Sequence, residues 1–163
     1  MDLPYQEDLP VYLLTGCFNN TGATYKFYWF LALLEKVETG KICIRKNDLF
    51  AEMVANAWYT VNYFRISFGK QDQLQKAIGR LRDLEKLTID ADRQTISKRL
   101  SETANRFTER ELRYFNSEVP HRFLSPWFRG SDMQTVYTAS QRFEKQLPIF
   151  ARKRLYNCQS SLD

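Results

Sequence analysis

The most constraining stretch of this chain is residues 18–37, FNNTGATYKFYWFLALLEKV, in which residues 27–34 pass without a single charge. Asn19, Asn20, Thr21 and Gly22 supply turn and cap chemistry, and from Tyr25 onward apolar side chains fall on every side of a helical repeat. A surface helix confines its apolar residues to a stripe, so an all-round apolar helix calls for neighbours on all sides. The sequence therefore predicts a mainly α, compact multi-helix single domain around this central apolar helix, with at most one or two short strands.

A chain of 163 residues that is 44% hydrophobic holds material for one buried core and too little for two comfortable ones. The domain is expected over residues 1–148, with residues 149–163 a basic, disordered tail marked by Arg152, Lys153 and Arg154. The apolar run falls far short of the ~20 residues that cross a bilayer. Asp2, Glu7 and Asp8 stand where a secretory signal needs positive charge, so a cytoplasmic protein with no membrane partner is expected. Cys17, Cys43 and Cys158 are scattered and odd in number, which points to reduced, mostly buried thiols rather than a disulfide framework or zinc knuckle.

Around the central helix the pattern changes several times. Leu9, Val11, Leu13 and Leu14 fit either a short helix or an extended arm, residues 38–41 form a turn, and Ile42, Cys43 and Ile44 read as an isolated strand or extended link. Apolar positions from Leu49 to Val61 recur at helical spacing and predict a second long helix to about Tyr63. Residues 63–69 alternate, with Phe64, Ile66 and Phe68 on one side, and predict a brief extended segment.

Asp72 and Gln75 form a capping-box pair before a third helix with Leu74, Ile78, Leu81, Leu84 and Leu87 as its stripe, in which Gly79 implies a close neighbour or a kink. Two shorter, exposed helices follow, anchored by Ile96, Leu100 and Phe107, with Thr108 and Glu111 as a second capping pair. Pro120 and Pro126 fence a segment expected to be an ordered loop that cannot be regular helix, and Ser131 with Gln134 opens a last helix ending near Pro148.

Catalytic chemistry finds little support. His121 is the sole histidine, which is too few for a ββα-type metal nuclease, and no Cys–His signature, P-loop or G-x-G-x-x-G is present. No catalytic residue, metal ligand or cofactor is assigned. What remains is basic and aromatic surface: Lys70, Lys76, Arg80 and Arg82 around the third helix, then Arg122 and Arg129 beside Phe123, Trp127 and Phe128. Such side chains neutralise phosphates and stack on exposed bases, although Asp72, Asp83 and Glu85 interleave with the basic residues and can pair with them. The net charge of +5 permits a polyanionic partner without requiring one.

Three segments taken together, FNNTGATYKFYWFLALLEKV, AEMVANAWYTVNYFRISFGKQDQL and VPHRFLSPWF, resemble the N-terminal region of bacterial HNH endonuclease-domain proteins over roughly residues 9–143. The resemblance implies a role near foreign DNA, as in stand-alone restriction or mobile-element nucleases. The HNH domain itself is absent from this chain, and no nuclease residue carries over. Trp29, Trp58, Tyr63, Phe68 and Trp127 are then core residues, and the irregular end fits a truncated or frameshifted gene. The leading expectation is a non-catalytic DNA-recognition or regulatory domain whose partners are DNA and a separate nuclease domain or a second copy. The alternative is a protein-interaction or oligomerisation module that docks through the aromatics of residues 123–128.

Overall fold

The structure, a computed structural model, describes residues 11–19, 24–41, 44–70, 72–127, 134, 135 and 138. Among the described residues, seven named α-helices run in order: α1 Val11–Gly16, α2 Tyr25–Glu38, α3 Lys46–Trp58, α4 Gln73–Glu85, α5 Arg93–Ser101, α6 Arg106–Tyr114 and α7 Pro120–Leu124. A π-turn, Tyr59–Tyr63, extends α3, and 3-10 turns Phe115–Ser117 and Ser125–Trp127 follow α6 and α7. The domain is mainly helical, and no strand occurs among the described residues.

The domain is built around a central apolar helix, but that helix is α3 rather than α2. Residues 49–55 of α3 are buried consecutively, together with Ala57 and Trp58, and α2, α4, α5 and α6 all pack against it. Only part of α2 faces inward, through Tyr25, Trp29 and Ala32, while Phe27, Leu31, Leu34 and Val37 stand exposed. The reason is size. Ala51, Ala55 and Ala57 let neighbouring helices approach α3 from several directions, whereas the bulk of α2 fills space on one side only. Apolar content measures what could be buried, and packing decides what is. Rings link the layers: Trp29 lies 5.4 Å from Phe50 and Phe50 6.0 Å from Phe115, centroid to centroid.

The seam of α2, α3 and α5 is closed by charge. Lys36 of α2 pairs with the buried Glu52 of α3, and Arg93 at the start of α5 pairs with Glu35. Asn56 Nδ2 donates to Glu35 at 3.0 Å and Asn56 Oδ1 accepts from Arg93 at 3.1 Å. Two carboxylates and two cations thus compensate one another at a seam where Glu52 is buried and Arg93 stays open to solvent, and a carboxylate with its solvent removed needs such a partner to stay ionised.

Caps explain where helices begin. Asp72 Oδ1 accepts from the Gln75 N–H at 3.1 Å, as its spacing predicts. Its Oδ2 accepts from the N–H and hydroxyl of Thr24, at 3.1 and 2.8 Å, so one buried carboxylate serves the N-termini of both α4 and α2. The Gln75 side chain accepts from the Phe68 N–H at 2.8 Å instead of completing the box. Asp92 caps α5 through the Thr95 N–H at 2.9 Å. Asn105 caps α6 through Phe107, which corrects the assignment of Thr108 as a cap: Thr108 lies inside the helix and is buried.

Several local expectations change. The first turn, α1, is helical, and its Gly16 backbone approaches Pro126 so closely that a Cβ would sit 3.3 Å from the proline ring. The turn at 38–41 forms, with Gly40 at φ +76°. Residues 63–69 are not a regular strand: the π-turn ends at Tyr63, Arg65 adopts φ +53°, and of the alternating residues Phe68 alone packs on the core. Gly79 has no close neighbour. The Pro-fenced segment is helical after all, because Pro120 occupies the first turn of α7, where its missing N–H leaves no bond unmade. The link at 42–43, most of the last helix and the C-terminal tail lie outside the described residues.

Candidate nucleic-acid interface

Of the basic residues singled out in the sequence, Lys76 and Arg80 share the outer face of α4, one turn apart, and Lys70 is exposed in the turn before that helix. The Arg80 Nε donates to Glu111 Oε2 of α6 at 2.7 Å, an ion pair that holds the guanidinium between the two helices. Arg82 turns away. Its Nη1 lies 3.3 Å from Asn62 Oδ1 and its Nε 3.0 Å from Asp83 Oδ1.

Arg122 belongs to α7, where its Nη1 donates to the Tyr25 hydroxyl at 2.9 Å and its Nη2 lies 3.3 Å from Glu118. Burial pushes the Tyr25 phenol up, against the opposing effect of that guanidinium. Arg129 and Phe128 lie outside the described residues. Phe123 is core, with its ring 5.8 Å from Phe30 and 5.9 Å from Phe18. His121 is buried as well, and burial, aided by Arg122, lowers its pKa. The basic residues of α4 and α7 therefore do not form one continuous cluster through their contacts: Arg80 pairs with α6, Arg82 turns to Asn62, and Arg122 is tied to α2.

The structure brings forward a face that the sequence reading passed over. α6 buries Thr108 and Leu112, so its opposite side carries Arg106, Phe107, Arg110, Arg113 and Tyr114, all exposed. Arg113 pairs with Glu109 one turn back, while Arg106 and Arg110 make no ion pair among the described residues. Phe107 is 66% exposed, the most open of the large apolar side chains described, instead of anchoring the helix. The signal was present in RFTERELRY as arginines at i, i+4 and i+7 with aromatics at i+1 and i+8, once Asn105 is taken as the cap.

α6 is held against α4 from beneath by Glu85. This buried carboxylate accepts from Arg99 Nε at 2.9 Å, from Thr103 Oγ1 at 2.6 Å and from the Thr108 hydroxyl. Burial would raise its pKa, but the hydrogen bonds of Thr103, Thr108 and Arg99 outweigh that and hold it below the ordinary glutamate value. Beside this clasp, a cleft of about 480 Å³ opens between the two helices, lined by Arg80, Asp83, Leu84, Phe107, Arg110 and Glu111. A second, of about 580 Å³, continues from Leu84 past Lys98 and Arg99.

Chemically, this face offers cations and flat rings to a ligand. Among the described residues no group of three or more histidine, cysteine or acidic side chains is placed to hold a metal ion, and no helix is long and apolar enough to cross a membrane. Comparisons with protein-family models, with curated proteins and with solved structures gave no match.

Proposed function

We propose that this domain recognises DNA without performing chemistry on it, and that the outward face of α6 with the adjoining face of α4 is its contact surface. The observation that carries the reading is the exposed arrangement of Arg106, Phe107, Arg110, Arg113 and Tyr114 on one side of α6, next to Lys76 and Arg80. Arginine binds phosphate oxygens in a fixed fork and releases condensed counterions, and exposed rings supply contact with bases. The resemblance to the N-terminal regions of HNH endonuclease-domain proteins supports the same direction: a cytoplasmic recognition or regulatory domain working beside a nuclease supplied by another polypeptide.

The test is binding of purified protein to labelled DNA between about 50 and 200 mM salt. If Lys76, Arg106 and Arg110 each neutralise a phosphate, log K should fall against log salt with a slope of roughly −2 to −3. Replacing Arg106 and Arg110 by Glu should abolish binding. Absence of binding at the low-salt end refutes the reading.

A second reading, an oligomerisation module, is favoured by one observation. Phe27, Leu31, Leu34 and Val37 form an uncharged exposed stripe along α2, with the three-and-four spacing of a helix–helix seam, and a second copy of the same stripe is its natural complement. A molar mass that doubles with concentration, and returns to the monomer value in Leu34→Lys, is the outcome this reading requires.

A further inference from the structure

We infer that the ligand of the α6 face is single-stranded nucleic acid, with its bases unpaired and open, rather than a duplex. The inference rests on the reading of α6 as a nucleic-acid interface and adds the state of the strand it takes.

Phe107 and Tyr114 are seven residues apart, which returns them to nearly the same side of the helix about 10.5 Å further along its axis. That separation matches about three stacked nucleotide steps of ~3.4 Å. Arg110 lies between the two rings, and Arg106 and Arg113 flank them on the same exposed side. The Tyr114 ring is braced edge-on by Phe115, 6.1 Å away, which favours one orientation of this platform. Phe107, at the mouth of the cleft with Arg80 and Arg110, has its ring open to solvent.

A duplex buries the faces of its bases and presents only their edges, which are read by hydrogen-bonding groups in the grooves. The exposed side of α6 carries no Asn or Gln to read an adenine edge, and its arginines suit guanine edges and backbone phosphates alike, so what distinguishes a single strand here is the pair of open rings. Two solvent-open rings interleaved with arginines have their complement in bases that are already unstacked, with the guanidinium groups following the backbone. Because every base has a π-face, such a site should tolerate many sequences.

The experiment is fluorescence anisotropy of the full chain with labelled oligo-dT, oligo-U and a mixed-sequence duplex, each of about 15 nucleotides or base pairs, within the span covered by known single-strand sites. Single strands should bind at least about tenfold more tightly than the duplex. Phe107→Ala and Tyr114→Ala should each weaken single-strand binding by roughly 5- to 100-fold while leaving the duplex background unchanged. Phe107→Ala removes an exposed ring, so its circular dichroism should match that of the parent. Preference for either strand over the duplex sustains the inference, and the comparison of oligo-dT with oligo-U tells DNA from RNA. Duplex binding equal to or tighter than single-strand binding, or unchanged affinity in both ring variants, overturns the inference while leaving nucleic-acid recognition standing. No binding to any of the three at low salt overturns both.

Discussion

Glu85 is the residue through which the fold should most directly control the proposed interface. Its carboxylate joins the last turn of α4 to Arg99 of α5, to Thr103 in the following loop and to Thr108 inside α6. Replacing it by Ala removes the acceptor of two threonine hydroxyls, one of them on a fully buried residue, and each such bond to a charged group contributes about 1.5 kcal/mol. The Arg99 side chain is 62% exposed, so solvent screening leaves that pair no more than about 0.5 kcal/mol. The sum is roughly 3.5 kcal/mol, a large share of the stability of a domain this size, and it should lower the melting temperature by about 10 °C. Glu85→Gln keeps the volume and one acceptor oxygen and should lose about half as much.

The sign with pH follows from the depressed pKa. Its stabilisation is complete above the ordinary glutamate value of 4.5 and is lost as pH falls through the lower folded value. The gap between parent and Glu85→Gln should therefore be full at neutral pH and close on acidification. Urea unfolding of the parent and both variants from neutral to acid pH measures this. A loss under about 1 kcal/mol for Glu85→Ala, or a gap that widens in acid, would refute the role of this carboxylate.

Other substitutions probe the rest of the frame. Asp72→Ala removes the acceptor of Gln75 and Thr24 backbone N–H groups together with the Thr24 hydroxyl, and should cost about 2–3 kcal/mol in chemical denaturation, more than an ordinary single cap. Gly79→Ala should stabilise the protein by roughly 0.5–1 kcal/mol, since a Cβ there meets no neighbour and α4 gains a better helix former; a lower melting temperature would contradict that geometry. The Cys17 thiol, buried and donating to the Phe123 carbonyl at 3.1 Å, has its pKa pushed up to about 11, so it should resist a thiol reagent near pH 8 until the protein unfolds. His121, with its pKa lowered by burial, favours the folded state above the ordinary value of 6.5 and progressively less as pH falls below it, so His121→Gln should flatten the pH dependence of the denaturation midpoint just below about pH 6.5.

The tie between fold and interface is mechanical. α4 and α6 are anchored by their apolar sides, Leu81 and Leu112 among them, and by Glu85 beneath and the Arg80–Glu111 pair at the rim. Charged residues that belong to helix seams, such as Arg93 and Lys36, are spent on compensating the half-buried Glu35 and the buried Glu52. Those on the outward side of α6 have no such task, and this difference in partners separates candidate contact residues from structural ones.

Local chemistry in the sequence determined much of this protein. Helical spacing marked α3 through α6, the Asp72–Gln75 pair marked the start of α4, and Gly40 marked the end of α2, because caps, turns and periodicity act over a few residues. The Pro-fenced segment misled because a proline that forbids an interior turn is welcome in a first one, and the difference depends on where the preceding chain stops. Only the tertiary structure decided which apolar helix lies at the centre. Both α2 and α3 are rich in apolar residues, and the alanines of α3 let other helices close around it while Phe27, Leu31, Leu34 and Val37 were left outside. Tertiary packing likewise chose which charges are neutralised at seams and which face outward, since Arg80, Arg93 and Arg110 are chemically alike until the fold brings Glu111 to the first, Glu35 to the second and, among the described residues, no paired acid to the third.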